Sequence, residues 1–62
     1  MSVRVGQVLE VEILSFDPLG RGIAFVGDKA IVVPGVAVGD RVKVMITEVK
    51  GRIAKAQVVE RL

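Results

Sequence analysis

The chain has 62 residues, a formal net charge of +2 and 52% hydrophobic residues, which suffices for one small domain. It contains no cysteine and no histidine, which excludes disulfide bonds, the usual zinc ligands and the most common general base. No uncharged apolar stretch approaches the roughly 20 residues that cross a membrane. We therefore expect one cytoplasmic domain over residues 1–62, without a metal, a cofactor or membrane contact.

Alternating apolar and polar residues predict a first strand over residues 7–16. Two further apolar runs, residues 22–26 and 29–33, flank Gly27-Asp28, a pair suited to a two-residue type II′ turn. The abundance of valine and isoleucine supports strands, because β-branched residues fit a pleated sheet better than a helix. We therefore expect strands 2 and 3 to form a hairpin.

The second half of the chain predicts a connection and two more strands. Residues 34–40 form a compact connection with space for one helical turn, which packs Val36 or Val38 against one end of the sheet. Strand 4 is predicted over residues 41–49 and strand 5 over residues 53–60, with an ambiguous phase at Val58-Val59 that a bulge would explain. The alternation predicts a core of Val11, Ile13, Ala24, Ile31, Val42, Val44, Ala54 and Ala56.

Five short strands joined by tight glycine turns favour an all-β fold, a small five-stranded antiparallel barrel, because closing a sheet removes its unpaired edges. The Greek-key barrel of oligonucleotide-binding proteins is the obvious candidate. An SH3-like barrel is the main alternative, and hydrophobic periodicity does not separate the two.

Several motifs resemble the TRAM domain family in their order and spacing. They are Gly6 before strand 1, then Gly20-x-Gly22-Ile23-Ala24, Val32-Val33-Pro34-Gly35 and Gly39-Asp40-x-Val42-x-Val44. The resemblance covers about residues 5–59 and is closest to the stand-alone archaeal form. It implies a barrel similar to the oligonucleotide-binding fold. It also implies RNA binding, either in tRNA delivery to modifying enzymes or as a small protein with cold-shock-like RNA chaperone activity.

Phe25 has two interpretations. The small Ala24 beside Gly22 suits a tightly packed interior, which turns Phe25 outward as a platform for stacking RNA bases. The resemblance agrees, since the matching family position is commonly polar or basic. In the alternative, Phe25 fills the core, as we expect for Phe16. Val32 shares the predicted face of Phe25 and is included in the candidate RNA site.

The basic residues divide into two groups by their expected partners. Arg41 and Lys43 on strand 4 are predicted to lie opposite Glu10 and Glu12 on strand 1, where ion pairs would neutralise them. The other cations have no obvious partner and lie where oligonucleotide-binding barrels contact their ligand. The primary candidates are Arg21, Lys29, Lys50, Arg52 and Lys55, and Arg41 and Lys43 are secondary candidates.

The sequence gives no indication of catalysis. Asp17, Asp28 and Asp40 occupy turn positions that favour aspartate for conformational reasons, and no hydroxyl has a neighbouring base. Gly20-Arg21-Gly22 precedes a strand and lacks the lysine of a phosphate loop. We interpret it as a bend whose exposed amides also touch a backbone phosphate.

These features predict a non-catalytic, monomeric RNA-binding protein for tRNA or unpaired single strands, with an RNA-modifying enzyme as a candidate partner. Loop cations and limited stacking predict little sequence preference. The alternative is a protein–protein interaction module that docks through the apolar face of strands 2 and 3.

Overall fold

The computed structural model describes residues 2–62, which form a curled sheet without a helix. Its six strands are β1 (Val8–Glu12), β2 (Ser15–Phe16), β3 (Gly22–Val26), β4 (Lys29–Val33), β5 (Arg41–Lys50) and β6 (Ile53–Arg61). The all-β prediction is confirmed. Residues 2–62 accordingly include no helix with the length and apolar character needed to cross a membrane.

The two edge strands are successive parts of one chain segment. The strand order is β1-β5-β6-β4-β3-β2, so β1 and β2 lie at opposite edges. Only Ile13 and Leu14 separate them in the chain. The segment therefore joins both edges, and the sheet curls into a barrel-like shape. The first predicted strand is divided in two for this reason; counted as one, it gives the predicted five.

One strand pairing differs from the antiparallel prediction. β4 and β6 run parallel, with Ala30 opposite Ile53 and Val32 opposite Lys55, while the other pairs are antiparallel. Strands joined by a two-residue turn must be antiparallel, but the whole of β5 separates β4 from β6 in the chain. This long connection lets β6 return in the direction of β4.

All eight predicted core residues are buried, and they are joined by further apolar residues that include Val33 and Ile46. Gly22 is required by this packing, because a Cβ atom there would meet Val36 and lie 2.9 Å from Ile13 Cγ2. Val36 packs against the core as predicted. Residues 34–40 contain no helical turn, so that part of the prediction was wrong.

The predicted bulge near Val58-Val59 is present. Lys43 lies opposite Glu60 and Val44 lies opposite Val58, which leaves Val59 as the extra residue of β6. Such a residue changes the phase of a strand and increases its local twist.

A second bulge in β5 determines which side chains reach the outside of the sheet. The register shifts between Ile46 and Glu48 and leaves Thr47 without a partner in the pairing. Strict alternation from the buried Ile46 would turn Glu48 inward. The extra residue instead exposes Glu48 and Lys50 and packs Val49 against the core.

Candidate nucleic-acid interface

Two hairpins of the same design end at one side of the sheet. Gly27-Asp28 connects β3 to β4, and Gly51-Arg52 connects β5 to β6. Each glycine has a φ of 61°, and no other residue type within 2–62 has a positive φ. Positive φ at the first central residue alone is what a type II′ turn requires, so the predicted turn chemistry is confirmed.

Hydrogen bonds link the tips of these two hairpins. The Ala30 backbone N–H donates to the Arg52 carbonyl oxygen at 2.9 Å, where the parallel pairing begins. The Lys29 ammonium donates to the Gly51 carbonyl oxygen at 2.8 Å. Lys29 and Arg52, far apart in the chain, are therefore neighbours in space.

Two rows of side chains cross the outside of the sheet on β3, β4, β6 and β5. Directly opposed residues share a face, so the register defines each row. The first row is Phe25, Ala30, Ile53 and Lys50, and the second is Ile23, Val32, Lys55 and Glu48. We refer to these eight residues as the outer face. Its apolar centre comprises the residues on β3 and β4 together with Ile53 on β6, and its charged margin comprises Glu48, Lys50 and Lys55 on β5 and β6.

The first row is open to solvent at both of its large apolar side chains. Phe25 is 57% exposed, so the outward interpretation is confirmed, and Ile53 is 53% exposed. Val32 is only 7% exposed and can touch a ligand only as the floor of the second row. The exposed apolar side chains of the first row are therefore Phe25 and Ile53.

Phe16 was predicted to be in the core, and this prediction was wrong, since its side chain is 50% exposed. β2 is only two residues long and lies at a sheet edge, so few residues cover it. Phe16 is opposite Gly22, whose Cβ position faces the interior, while Phe25 points outward. The two aromatic rings therefore lie on different faces.

Arg21 has a carboxylate partner that the sequence did not indicate. Its Nε lies 2.6 Å from Asp17 Oδ2, and its backbone N–H donates to Asp17 Oδ1 at 2.8 Å. The Leu19 N–H also donates to Oδ1, and the Gly20 N–H donates to the Asp17 carbonyl oxygen. The Gly20 and Arg21 amides are thus engaged within the loop and are not free for the predicted phosphate contact.

These contacts perturb the titration of Asp17, whose side chain is 12% exposed. Burial raises the pKa of Asp17. The hydrogen bonds and positive charge of Arg21, together with the hydrogen bond from the Leu19 amide, lower this pKa by more than burial raises it. The net pKa lies below the ordinary value of 3.8. The pair therefore stabilises the loop as long as the carboxylate is ionised.

Lys55 and Lys43 also have carboxylate neighbours. Lys55 Nζ lies 3.8 Å from Glu48 Oε1, although the sequence gave Lys55 no obvious partner. Lys43 Nζ lies 3.4 Å from Glu60 Oε1 on β6, so its partner is not the predicted Glu10, which lies opposite it on β1. Both pairs are largely exposed, and such pairs contribute at most about 1 kcal/mol.

The remaining cations are concentrated unevenly. Within residues 2–62, the basic side chains that make neither an ion pair nor a hydrogen bond are Arg4, Arg41, Lys50 and Arg52. Lys50 and Arg52 lie at the hairpin tips beside Lys29. Arg41 lies at the opposite end of β5, across from Glu12 on β1. The free positive charge nearest Phe25 and Ile53 therefore comes from the hairpin tips.

Two open grooves mark the outer face. The larger, about 470 Å³, is lined by Glu48, Lys50, Ile53 and Lys55. The smaller, about 200 Å³, is lined by Arg21, Val32, Pro34, Thr47, Lys55, Ala56 and Gln57. Sequence reasoning missed Ile53 and Glu48, because only the parallel pairing and the Thr47 bulge bring them beside the predicted site.

Comparison with known proteins agrees with this architecture. Residues 2–59 match the family model described as TRAM domain. A ribosomal RNA large subunit methyltransferase E of Methanocella arvoryzae is 43% identical over 97% of this chain and 23% of its own length. The 23S rRNA (uracil(1939)-C(5))-methyltransferase RlmD of an Enterobacter species is 37% identical over 97% of this chain and 14% of its own length. The chain thus spans less than a quarter of these relatives.

A solved structure has the same fold and a similar size. The solution structure of a conserved protein of Methanococcus maripaludis superimposes with a TM-score of 0.85 and 33% sequence identity. The match covers 92% of this chain and 81% of that one. With the family match over nearly all residues, this likeness identifies the chain as a member of the TRAM domain family.

Proposed function

We propose that this chain is a non-catalytic RNA-binding protein that holds unpaired RNA on its outer face. The TRAM domain is an RNA-binding module, and two relatives are named as ribosomal RNA methyltransferases. The match covers only 23% and 14% of those two chains, and their catalytic domains lie outside it. What the matched segment has in common with them is a binding role.

The observation that carries this proposal is the exposed ring of Phe25 in one row with Ile53 and Lys50. Neighbouring strands are about 4.8 Å apart, and Phe25 and Lys50 lie three strand spacings apart, so the distance between their Cα atoms is roughly 14 Å. A base stacked on Phe25 leaves its backbone free to run toward Lys50, Arg52 and Lys29. Stacking and counterion release together are the usual basis of single-strand binding.

Unpaired RNA suits this surface better than a duplex. A base inside a duplex is stacked on its neighbours and cannot present its face to an aromatic ring, whereas an unpaired base can. Phe25 lies on the outside of the curled sheet, and residues 2–62 contain no helix that could enter a groove. We therefore propose single-stranded segments and the unpaired loops and ends of tRNA as ligands.

Chaperone activity follows from the same contacts by competition. A protein that binds unpaired segments stabilises the open form of an RNA and lowers the stability of wrong pairings. The contacts involve base faces and phosphates, which all sequences share. This activity needs no energy source and no catalytic group.

Amide chemical-shift mapping with a short unstructured RNA tests the location of the site. We expect the largest shifts at Phe25, Ala30, Lys50, Arg52 and Ile53, and we expect affinity to fall steeply as salt increases. Shifts centred on Arg41 and Lys43 would move the site to the other end of β5. An absence of shifts at low salt would refute RNA binding.

A second candidate function is protein docking through the same apolar centre. Exposure of both Phe25 and Ile53 favours it, because exposed apolar patches often mark interfaces. The candidate partner is an RNA-modifying enzyme. Apolar docking changes little with ionic strength, whereas RNA binding weakens steeply, so a salt titration separates the two functions.

A further inference from the structure

We infer that Glu48 is a specificity-determining residue, which gives the outer face a preference for guanine at one position of the bound RNA. The inference rests on the proposed function, since it concerns how the same face distinguishes bases. It adds a preference that stacking and phosphate contacts alone do not provide.

The first observation is the position of Glu48 in the larger groove. The extra residue Thr47 turns its carboxylate outward. Glu48 and Lys50 lie two residues apart on β5, and Lys55 and Ile53 lie opposite them on β6. Adjacent members of this set are about 5 Å apart across strands and about 7 Å apart along them. The groove has a volume of about 470 Å³, which is larger than a purine base.

The second observation is the chemistry at the edge of that groove. An ionised carboxylate offers two acceptor oxygens and no donor, and an ammonium offers only donors. Lys55 Nζ lies 3.8 Å from Glu48 Oε1, so a donor group and a double acceptor stand side by side. Ile53 supplies an apolar contact for a ring in the same groove.

Guanine matches this arrangement best among the four bases. Its Watson–Crick edge presents the O6 acceptor followed by two adjacent donors, N1–H and the N2 amino group. The two donors can bind both Glu48 oxygens, while O6 accepts from Lys55. Adenine, cytosine and uracil each present one donor group on that edge, so one carboxylate oxygen stays unpaired.

The existing contact between Glu48 and Lys55 does not prevent this binding. Both side chains are more than half exposed, and an exposed pair of this kind is weak. Bidentate hydrogen bonds to a charged group are stronger and more directional. Because the groove is open to solvent, we expect the preference for guanine over the other bases to lie at the low end of the range for bidentate base contacts. This corresponds to about fivefold to twentyfold in affinity.

The test uses uridine-rich single strands that differ only in one central base. For the unmodified protein we expect the strand with central guanine to bind about fivefold to twentyfold more tightly than those with adenine, cytosine or uracil. In Glu48→Gln the preference should disappear, while the other three strands bind slightly more tightly because a negative charge is gone. Glu60→Gln is the matched control, since it removes the carboxylate of the exposed Lys43 pair and should leave the preference intact.

Two outcomes would overturn the inference. If the unmodified protein binds all four strands alike, or if Glu48→Gln retains the guanine preference, Glu48 does not read the base. RNA binding itself would survive either result. If none of the strands binds at low salt, the proposed function fails together with the inference, so the two failures are distinguishable.

Discussion

Lys29 at the tip of one hairpin donates a hydrogen bond of 2.8 Å to the carbonyl oxygen of Gly51 at the tip of the other. Its ammonium is therefore both a positive charge beside the outer face and a link between two turns. Lys50 lies nearby without such a bond. The two lysines have similar chemistry but different structural roles.

Replacing Lys29 by methionine should lower the free energy of unfolding by about 1 kcal/mol, because the hydrogen bond is lost while the aliphatic chain is kept. Lys50→Met, the matched control, should change it by less than about 0.5 kcal/mol. Urea unfolding followed by circular dichroism measures both. Equal stability of the two variants would mean that the link between the tips contributes nothing.

Phe25→Ala should leave the free energy of unfolding within about 0.5 kcal/mol, since the ring is exposed. The same change should weaken RNA binding by about 1–3 kcal/mol without altering its salt dependence, because stacking releases no counterions from phosphate. Fluorescence anisotropy with a labelled single strand at several salt concentrations measures both quantities.

Phe16→Ala is the natural control for this experiment, because it removes a similarly exposed ring from the other face of the sheet. Its RNA affinity should match that of the unmodified protein. If both variants lose affinity alike, the ring of Phe25 has no special role. If Phe25→Ala keeps its RNA affinity but loses a protein partner, the docking function is favoured.

Changing Lys50 and Arg52 together to alanine should weaken binding for all RNA sequences alike. Each lost phosphate contact should reduce the slope of log affinity against log salt by about 0.7 for single strands. The variant with Arg41 and Lys43 changed to alanine removes the same charge and should retain the slope. The reverse result would place the phosphate contacts at the far end of β5.

Asp17→Asn should destabilise the domain at neutral pH and much less in acid. The native pKa of Asp17 lies below its ordinary value of 3.8, so the ionised carboxylate favours the folded state above that pH. As pH falls through the native pKa, the aspartate is protonated and this advantage is lost. Thermal unfolding of both proteins between pH 7 and pH 2 should therefore give curves that converge at the acid end.

Asp28→Asn serves as the control for Asp17, because Asp28 also lies in a turn but its side chain makes no ion pair or hydrogen bond within residues 2–62. Its melting temperature should follow that of the unmodified protein at every pH. A constant difference between the Asp17→Asn and unmodified proteins across the whole range would show that hydrogen-bond geometry, and not charge, stabilises the loop.

Local patterns were sufficient to predict the hairpins and the core. The small Ala24 beside Gly22 favoured the face that is buried, and Gly27-Asp28 indicated the turn, because both signals depend on residues close in the chain. What the sequence did not reveal was the parallel pairing that brings Ile53 beside Ala30. That pairing depends on the direction in which a distant strand returns, which no local periodicity records.

The difference between local and long-range information also explains why the predictions for Glu48, Arg21 and Phe16 differ from the structure. The outward position of Glu48 depends on one extra residue in β5, and strict alternation would have buried it. Arg21 appeared free because its partner Asp17 seemed to be only a turn residue. Phe16 was assigned to the core by its apolar character, although its two-residue strand offers too little cover.

The parallel pairing of β4 with β6 also has a consequence for synthesis on the ribosome. A chain made from its N-terminus displays the hairpin of Phe25 and Ala30 well before Ile53 and Lys55 have left the exit tunnel. Until then the aromatic ring stands on an incomplete sheet, and the larger groove does not exist. Under the proposed function, the growing chain therefore reaches its full affinity for RNA only after β6 has paired with β4.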